Sequence, residues 1–434
     1  MLHDREVSKS KRTQSRKRER EREPENLALG RYGKDEVAYY RLSDRATRRR
    51  ISELEGRMGE LNEVSIPLRF KVLLSEVDER VKAVAMKKVE SLATMDGGSG
   101  YNKVLQWVDG LCTLPIGRYK SLPIPADAAR ADVAEFLGGM RARLDKAVYG
   151  HAEAKGHVVR LLAQWITHPS AKGLVIGVHG PPGLGKTELC RAVCDVLELP
   201  FAFVPLGGAS DGAYLDGHSY TYEGSMWGKV ADVLMKSRVM NPVLFFDELD
   251  KVSQSRRGEE IVNLLIHLTD PTQNDRFNDK FFIDVELDLS KCLCIFSYND
   301  ESKISPILRD RMVRVRTEGY TTRDKLKIAR AHLLPGILAQ FALAPDAVRF
   351  GDQELTQVVE AVEEEQGVRN LKRGLHDVVS CLNLERLVGK DPEGRPSQVE
   401  FPVDVTAAQV DAYVRTGRRD SGGGGGGAWR SMYM

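Results

Sequence analysis

The stretch Val175-Ile176-Gly177-Val178-His179-Gly180-Pro181-Pro182-Gly183-Leu184-Gly185-Lys186-Thr187 decides the fold. An apolar run that begins at Leu174 ends in the pattern G-x-x-x-x-G-K-[ST], and an amphipathic segment over 188–198 follows. Strand, glycine-rich loop and helix in that order make a phosphate-binding loop. Its glycines, Gly180, Gly183 and Gly185, let backbone N–H groups turn inward around phosphates, and the helix N-terminus adds its positive end. With Pro181, Pro182 and Leu184 they form the cradle expected to hold ATP. Lys186 is expected on the β- and γ-phosphates, and the Thr187 hydroxyl on Mg2+.

Outward from this loop, short apolar runs recur at Phe201–Val204, Val243–Phe246 and Leu293–Phe296, separated by helix-length stretches. That alternation predicts an α/β fold, a parallel sheet covered by helices. The run at 243–246 ends in Asp247-Glu248. A strand that delivers two carboxylates beside a phosphate-binding loop supplies the rest of the chemistry. Asp247 is expected to help hold Mg2+ through water, and Glu248 to polarise the attacking water. The run at 293–297 ends at Asn299, an amide that can orient water without adding charge, or simply a turn residue. On Ile307-Leu308-Arg309-Asp310-Arg311-Met312, an arginine could reach a neighbouring subunit's γ-phosphate in a ring. Arg311 is the choice and Arg309 the reserve.

The chain has 434 residues, 42% hydrophobic and 29% charged, with a net charge of +2. That length allows roughly two to four domains. No apolar run approaches the length needed to cross a bilayer, and no signal-peptide core is present, so a cytoplasmic or nuclear address is expected. Residues 1–35 read as a disordered basic tail, with Lys9-Ser10-Lys11-Arg12 and Arg16-Lys17-Arg18 able to touch nucleic acid weakly. Residues 36–145 read as mainly helical, including one amphipathic stretch over 72–93. The α/β nucleotide domain is expected over 146–318, a helical lid over 319–418, and a disordered tail over 419–434 around the run Gly422 to Gly427. Six cysteines without a second pair or histidines at ligand spacing read as buried reduced thiols.

Beyond the phosphate-binding loop the sequence resembles the AAA+ module of Lon proteases. Leu206-Gly207-Gly208-Ala209-Ser210-Asp211 leads to Gly217-His218-Ser219-Tyr220-Thr221-Tyr222-Glu223-Gly224-Ser225-Met226-Trp227-Gly228-Lys229, and together they match the family's segment with no gap needed. Similar pieces are Asp247–Lys251, Asp270-Pro271-Thr272-Gln273-Asn274, Asp310-Arg311-Met312, Gly319-Tyr320-Thr321, His332-Leu333-Leu334-Pro335 and Gly367-Val368-Arg369-Asn370-Leu371. The resemblance covers about 145–390 and is similar to peptidase-less relatives carried by large DNA viruses. It implies that Tyr149-Gly150-His151 packs on adenine, and that Arg369 rides the lid onto the γ-phosphate. It implies also that Tyr222 lines a pore and grips an extended polypeptide, the plain alternative being a surface or packing aromatic. A homo-oligomeric ring, by analogy a hexamer, acting on a protein substrate follows from it.

Two residues depart from the family's pattern. Glu223 stands where Lon has an aliphatic pore residue, and Trp227 where it usually has proline. Nothing resembles Lon's catalytic serine segment, and Ser380 with Lys372 upstream reads as surface chemistry, so proteolysis is not expected. ATP-driven protein remodelling is the leading reading, and a nucleic-acid motor or loader is the alternative. A carboxylate beside the gripping tyrosine disfavours acidic and apolar segments. Glu223→Ile is therefore expected to broaden the range of unfolded proteins that stimulate ATP hydrolysis, measured across acidic, apolar and basic test proteins. An unchanged profile would remove Glu223 from substrate choice.

Overall fold

The computed structural model describes residues 33–62, 66–95, 98–125, 127–168, 175–222, 224–252, 256–283, 285–391 and 394–421. Of the tails expected over 1–35 and 419–434, residues 1–32 and 422–434 lie outside the described residues, as does Glu223, while helices Lys34–Leu42 and Ala407–Ser421 include the rest but Gly33. The chain divides into two compact units at Ser75/Glu76. The first carries helices Lys34–Leu42, Arg45–Asn62 and Leu68–Leu74.

The single helix expected over 72–93 is two, Leu68–Leu74 and Glu79–Leu92. The break has a local cause. Ser75 turns both its backbone N–H and its hydroxyl onto the Val72 carbonyl, at 3.2 and 2.6 Å, which ends one helix. Asp78 then accepts the Arg80 N–H at 2.8 Å and starts the next. Apolar spacing alone passes through such a break unnoticed.

The second unit is built on a five-stranded sheet in the order β2-β3-β6-β1-β7, with every pairing parallel. The strands are β1 (Val175–His179), β2 (Phe201–Pro205), β3 (Val243–Asp247), β6 (Leu293–Tyr298) and β7 (Val313–Arg316). A hairpin of β4 (Phe277–Asn278) and β5 (Glu286–Leu287) lies between β3 and β6 in sequence. The central strands are near-continuous apolar runs because helices cover both faces. Phe246 and Phe296 stack across β3 and β6 with ring centroids 4.8 Å apart, and both are fully buried. Helix Lys186–Leu197 lays Leu189, Cys190, Val193, Cys194 and Leu197 into a core with Val243, Phe245, Leu293 and Ile295 of the sheet, where Met140 and Leu144 of helix Arg130–Ala147 join it. Cys190, Cys194, Cys292 and Cys294 are buried thiols, as expected, whereas Cys112 and Cys381 are thiols only half-buried; burial pushes Cys194 and Cys294 up to about 12.

Residues after 320 form a helical subdomain with its own core. Helices Asp352–Ala361, Arg369–Val388 and Ala407–Ser421 pack Leu355, Val358, Leu375, Val378, Leu382 and Val410 against one another. The extended piece expected near 399–405 is a two-residue strand, Val403–Asp404, paired in parallel with Val348–Arg349. Between helices Thr322–Ile328 and Leu334–Gln340, residues Ala329–Leu333 form a wide π turn.

Truncating a fully buried aromatic that meets its neighbours on both sides leaves a cavity that a packed sheet cannot close. Phe296→Ala is expected to lower stability by about 3–5 kcal/mol, read from the first unfolding transition in urea. A loss below about 1 kcal/mol would mean that β6 does not sit at the centre of the core.

Candidate nucleotide-binding site

The C-terminal ends of β1, β3 and β6 and the start of the helical subdomain enclose a cavity of about 440 Å³. Its wall contains Tyr149, Pro182 to Thr187, Asp247, Glu248, Asn299 and Arg369, brought together from five places in the chain. The loop between β1 and helix Lys186–Leu197 needs glycine for two separate reasons. At Gly180 a Cβ would lie 2.1 Å from the hydroxyl of Thr317, so the residue that follows β7 presses on the loop from one side. At Gly183 the backbone is left-handed, with φ 79°, and a Cβ would lie 3.1 Å from the Arg369 nitrogen. The Gly183 carbonyl accepts the Val368 N–H at 3.0 Å, which ties the lid helix directly to the loop.

Lys186 points back into its own loop. Its ammonium donates to the carbonyls of Gly180 (2.5 Å) and Pro181 (3.2 Å) and to Asn299 Oδ1 (2.6 Å). Every contacting oxygen is neutral. Burial therefore pulls its pKa down to about 8, with Asp247 and Asp250 opposing that shift and Arg369 adding to it. A desolvated ammonium with no contacting carboxylate is a fitting receptor for phosphate. Asn299 is thus placed in the site, but its side-chain oxygen faces Lys186.

The two carboxylates stand apart in their support. Asp247 Oδ1 takes the Ser297 hydroxyl and the Glu248 N–H, the latter at 3.1 Å, and its Oδ2 has no hydrogen bond among the described residues. Among the described residues no group of three acidic, histidine or cysteine side chains could hold a metal alone. Thr187 and Asp247 with phosphate oxygens suit Mg2+, which keeps several waters and uses few protein ligands. Glu248 is exposed and sits in the left-handed region, φ 59° and ψ 46°. Such a conformation costs a non-glycine residue about 1–3 kcal/mol and persists where its surroundings fix it. Its carboxylate lies against the turn after β2, where a Cβ on Gly207 would meet Glu248 Oε2 at 2.0 Å.

The opposite wall is also pre-set. Lys155, 1% exposed, ties Asp145 (2.8 Å) and the Val148 carbonyl together beneath Tyr149. His151 is left-handed, φ 50°, and its Nε2 lies 2.9 Å from the Leu184 carbonyl and 2.8 Å from the Tyr320 hydroxyl. Burial lowers the His151 pKa, so the ring stays neutral near pH 7. Tyr149 lines the cavity, whereas Gly150 and His151 stand behind the wall. Tyr320, Lys372, His332 and Ser297 also line it. None of these four was assigned a nucleotide role from sequence. Lys372 follows Arg369 by three positions, the spacing that puts both on one helix face.

Arg311 is outside the cavity wall, paired with Asp270 at 3.0 Å and with the Ile266 carbonyl at 3.3 Å. Hydrogen bonds from Thr272, and then Arg311, hold Asp270 down at about 2. Tyr222 is also remote, 69% exposed on a loop whose ends meet at Gly217 and Gly228. The buried carboxylate of Asp279 closes that base by accepting the Gly228 N–H at 2.7 Å and the Phe281 N–H at 2.9 Å.

Residues 176–320 match the ATPase family associated with various cellular activities (AAA), so the chain carries an AAA domain. Over 79% of its length it is 32% identical to the Lon protease homolog of Acanthamoeba polyphaga mimivirus, covering 34% of that protein. It is 29% identical to Lon protease 4 of Sorangium cellulosum across 94% of this chain and 46% of that one. Over 58% of the chain it is 37% identical to Lon protease homolog 2, peroxisomal, of Arabidopsis thaliana, covering 28% of that protein. The chain thus spans between about a quarter and a half of the length of these relatives.

The Lys186 ammonium gives the site a proton signature. At about pH 9 the free amine is mostly neutral, because its folded pKa is about 8. Phosphate anions favour the charged form and raise that pKa. Binding of ATP near pH 9 is therefore expected to take up close to one proton, and near pH 7 only a small fraction of one. The measurement is the dependence of calorimetric binding enthalpy on the ionisation enthalpy of the buffer. No uptake at the higher pH would place Lys186 away from the phosphates.

Proposed function

We propose that this chain, whose AAA domain is similar to that of Lon proteases, is an ATP-hydrolysing motor that remodels proteins as a homo-oligomeric ring. The observation that carries the reading is the convergence of Lys186, Asp247, Glu248, Asn299 and Arg369 on one cavity, with Tyr222 exposed on a separate braced loop. In this reading residues 146–318 bind nucleotide and 319–418 form the lid.

Lys186 holds the β- and γ-phosphates, and Tyr149 flanks the base. Bound magnesium neutralises phosphate charge, held by Thr187 and Asp247. Glu248, with no competing hydrogen bond among the described residues, takes the proton of the attacking water. Arg369 and Lys372 bring two positive charges from the lid to the same cavity, so lid angle follows the charge of the nucleotide. Arg311, already turned out of its own cavity, serves a neighbour's γ-phosphate in a hexamer. Tyr222 grips an extended polypeptide, and each change of lid angle moves that grip. No peptide-bond cleavage is assigned to this chain: Ser380 and Lys372 lie more than two turns apart on helix Arg369–Val388, too far for one to activate the other.

The test is steady-state ATP hydrolysis, alone, with an unfolded protein, and with single-stranded DNA. Glu248→Gln is expected to lower kcat by about a hundredfold or more. Unfolded protein is expected to stimulate the rate, and Tyr222→Ala to abolish that stimulation while leaving hydrolysis without protein intact. Stimulation by DNA alone, insensitive to Tyr222 and lost on removing residues 1–25, would transfer the motor to nucleic acid.

A further inference from the structure

The Tyr222 loop is fixed from a direction that the nucleotide site does not explain. Helix Ser99–Thr113, well before the sheet in sequence, lies alongside it. Lys103 Nζ donates to the Tyr222 backbone carbonyl at 2.7 Å and sits 4.7 Å from the centre of the Tyr220 ring. The ammonium of Lys88, on helix Glu79–Leu92, stands 4.3 Å from the centre of the same Tyr220 ring and 4.9 Å from that of Trp107. Trp107 is buried and donates its indole N–H to the Phe281 carbonyl at 3.0 Å.

One turn further along the helix, Gly110 allows a close approach. A Cβ there would lie 3.0 Å from both Phe282 and Trp227, two rings stacked 5.9 Å apart. Trp227 thereby gains a use that a proline at that position could not have: it is a flat plate between the loop's return strand and the helix. The loop also bonds to the neighbouring hairpin, through Tyr220 N–H to the Lys280 carbonyl at 3.4 Å. Its base is closed by Asp279. Only its tip, with Tyr222, would be free to move, and Lys103 holds that tip by its main chain while leaving the phenol ring in solvent.

We propose that helix Ser99–Thr113 is a strut for the substrate-gripping loop, and that Lys103 is the positioning residue that sets the height of Tyr222. The direction of force follows from the geometry. Trp107 and Gly110 anchor the helix to the hairpin and to Trp227, which move with the ATPase domain, and Lys103 reaches from that anchor to the loop tip. The loop is then tensioned between two supports, Asp279 at its base and Lys103 at its tip. A grip held at both ends transmits displacement to a bound chain, whereas one held only at its base yields to it. The gripping consequence rests on the reading of Tyr222 given above; the strut itself does not.

Two measurements separate them. Amide exchange of the peptide spanning 217–228 is expected to quicken roughly three- to tenfold in Lys103→Met, which keeps the aliphatic stem but loses the donor. Lys103→Arg, which keeps a donor of similar reach, is expected to stay within about twofold of the parent. The second measurement is the KM for unfolded protein in stimulated ATP hydrolysis, expected to rise about threefold or more in Lys103→Met with kcat at saturating protein retained. Exchange that is unchanged in Lys103→Met overturns the strut, whatever the ATPase does. Quickened exchange that Lys103→Arg does not restore also overturns it, because the hydrogen bond is then not the cause. Quickened exchange, restored by arginine, with an unchanged KM upholds the strut and removes instead the gripping role of Tyr222.

Discussion

A single buried ammonium organises the site. Lys186 lies among oxygens of Gly180, Pro181 and Asn299, all uncharged, so its positive charge is solvated by dipoles that two segments of the fold have to hold in place. The phosphate-binding loop supplies two of them and the end of β6 the third. The parallel order β3-β6-β1 puts those ends side by side. A misplaced strand would leave a bare charge in a poorly hydrated cavity, at a cost that rises steeply with burial. The sheet order and the ammonium therefore require one another.

The same cavity joins two cores. The helical subdomain has its own apolar centre, and its hydrogen bonds to the loop are polar and directional: the Val368 N–H on the Gly183 carbonyl, and the Tyr320 hydroxyl on the Leu184 carbonyl, where it also meets His151. Polar contacts of this kind are directional and individually modest, so they can be exchanged without disturbing either core. Arg369 and Lys372 stand just beyond them. A charge placed in the cavity acts on the lid through residues already seated at the junction.

Much of this was legible in the residues themselves. The phosphate-binding loop, the carboxylate pair at the end of β3 and the apolar central strands each follow from a local pattern with one geometric solution. The lid helices were legible in outline for the same reason. What stayed hidden depended on long-range placement. Ser297 carries no pattern of its own, and Tyr320 sits in a family-like piece that gives it no role, because their contacts are with Asp247 and His151, which are far away in sequence. The contact of Asn299 with Lys186, at 2.6 Å, likewise depends on a residue more than a hundred positions away. The break at Ser75–Asp78 was missed because helix caps are short-range polar signals laid over an uninterrupted apolar rhythm. The partner of Lys103 could not have been guessed across more than a hundred residues.

The left-handed backbone at Glu248 sets persistence against chemistry at one position. Glycine would adopt that conformation without strain, and asparagine with less of it, so the fold as a folded object would be better served by either. Neither could take a proton from water there. In the function proposed above, the glutamate is thus a place where the molecule is less durable than its own backbone permits, and durability is what it gives up in order to turn over. Any programme of hardening this chain against heat that scores substitutions by stability alone would choose position 248 early, and under that proposal would return a robust protein that no longer hydrolyses ATP.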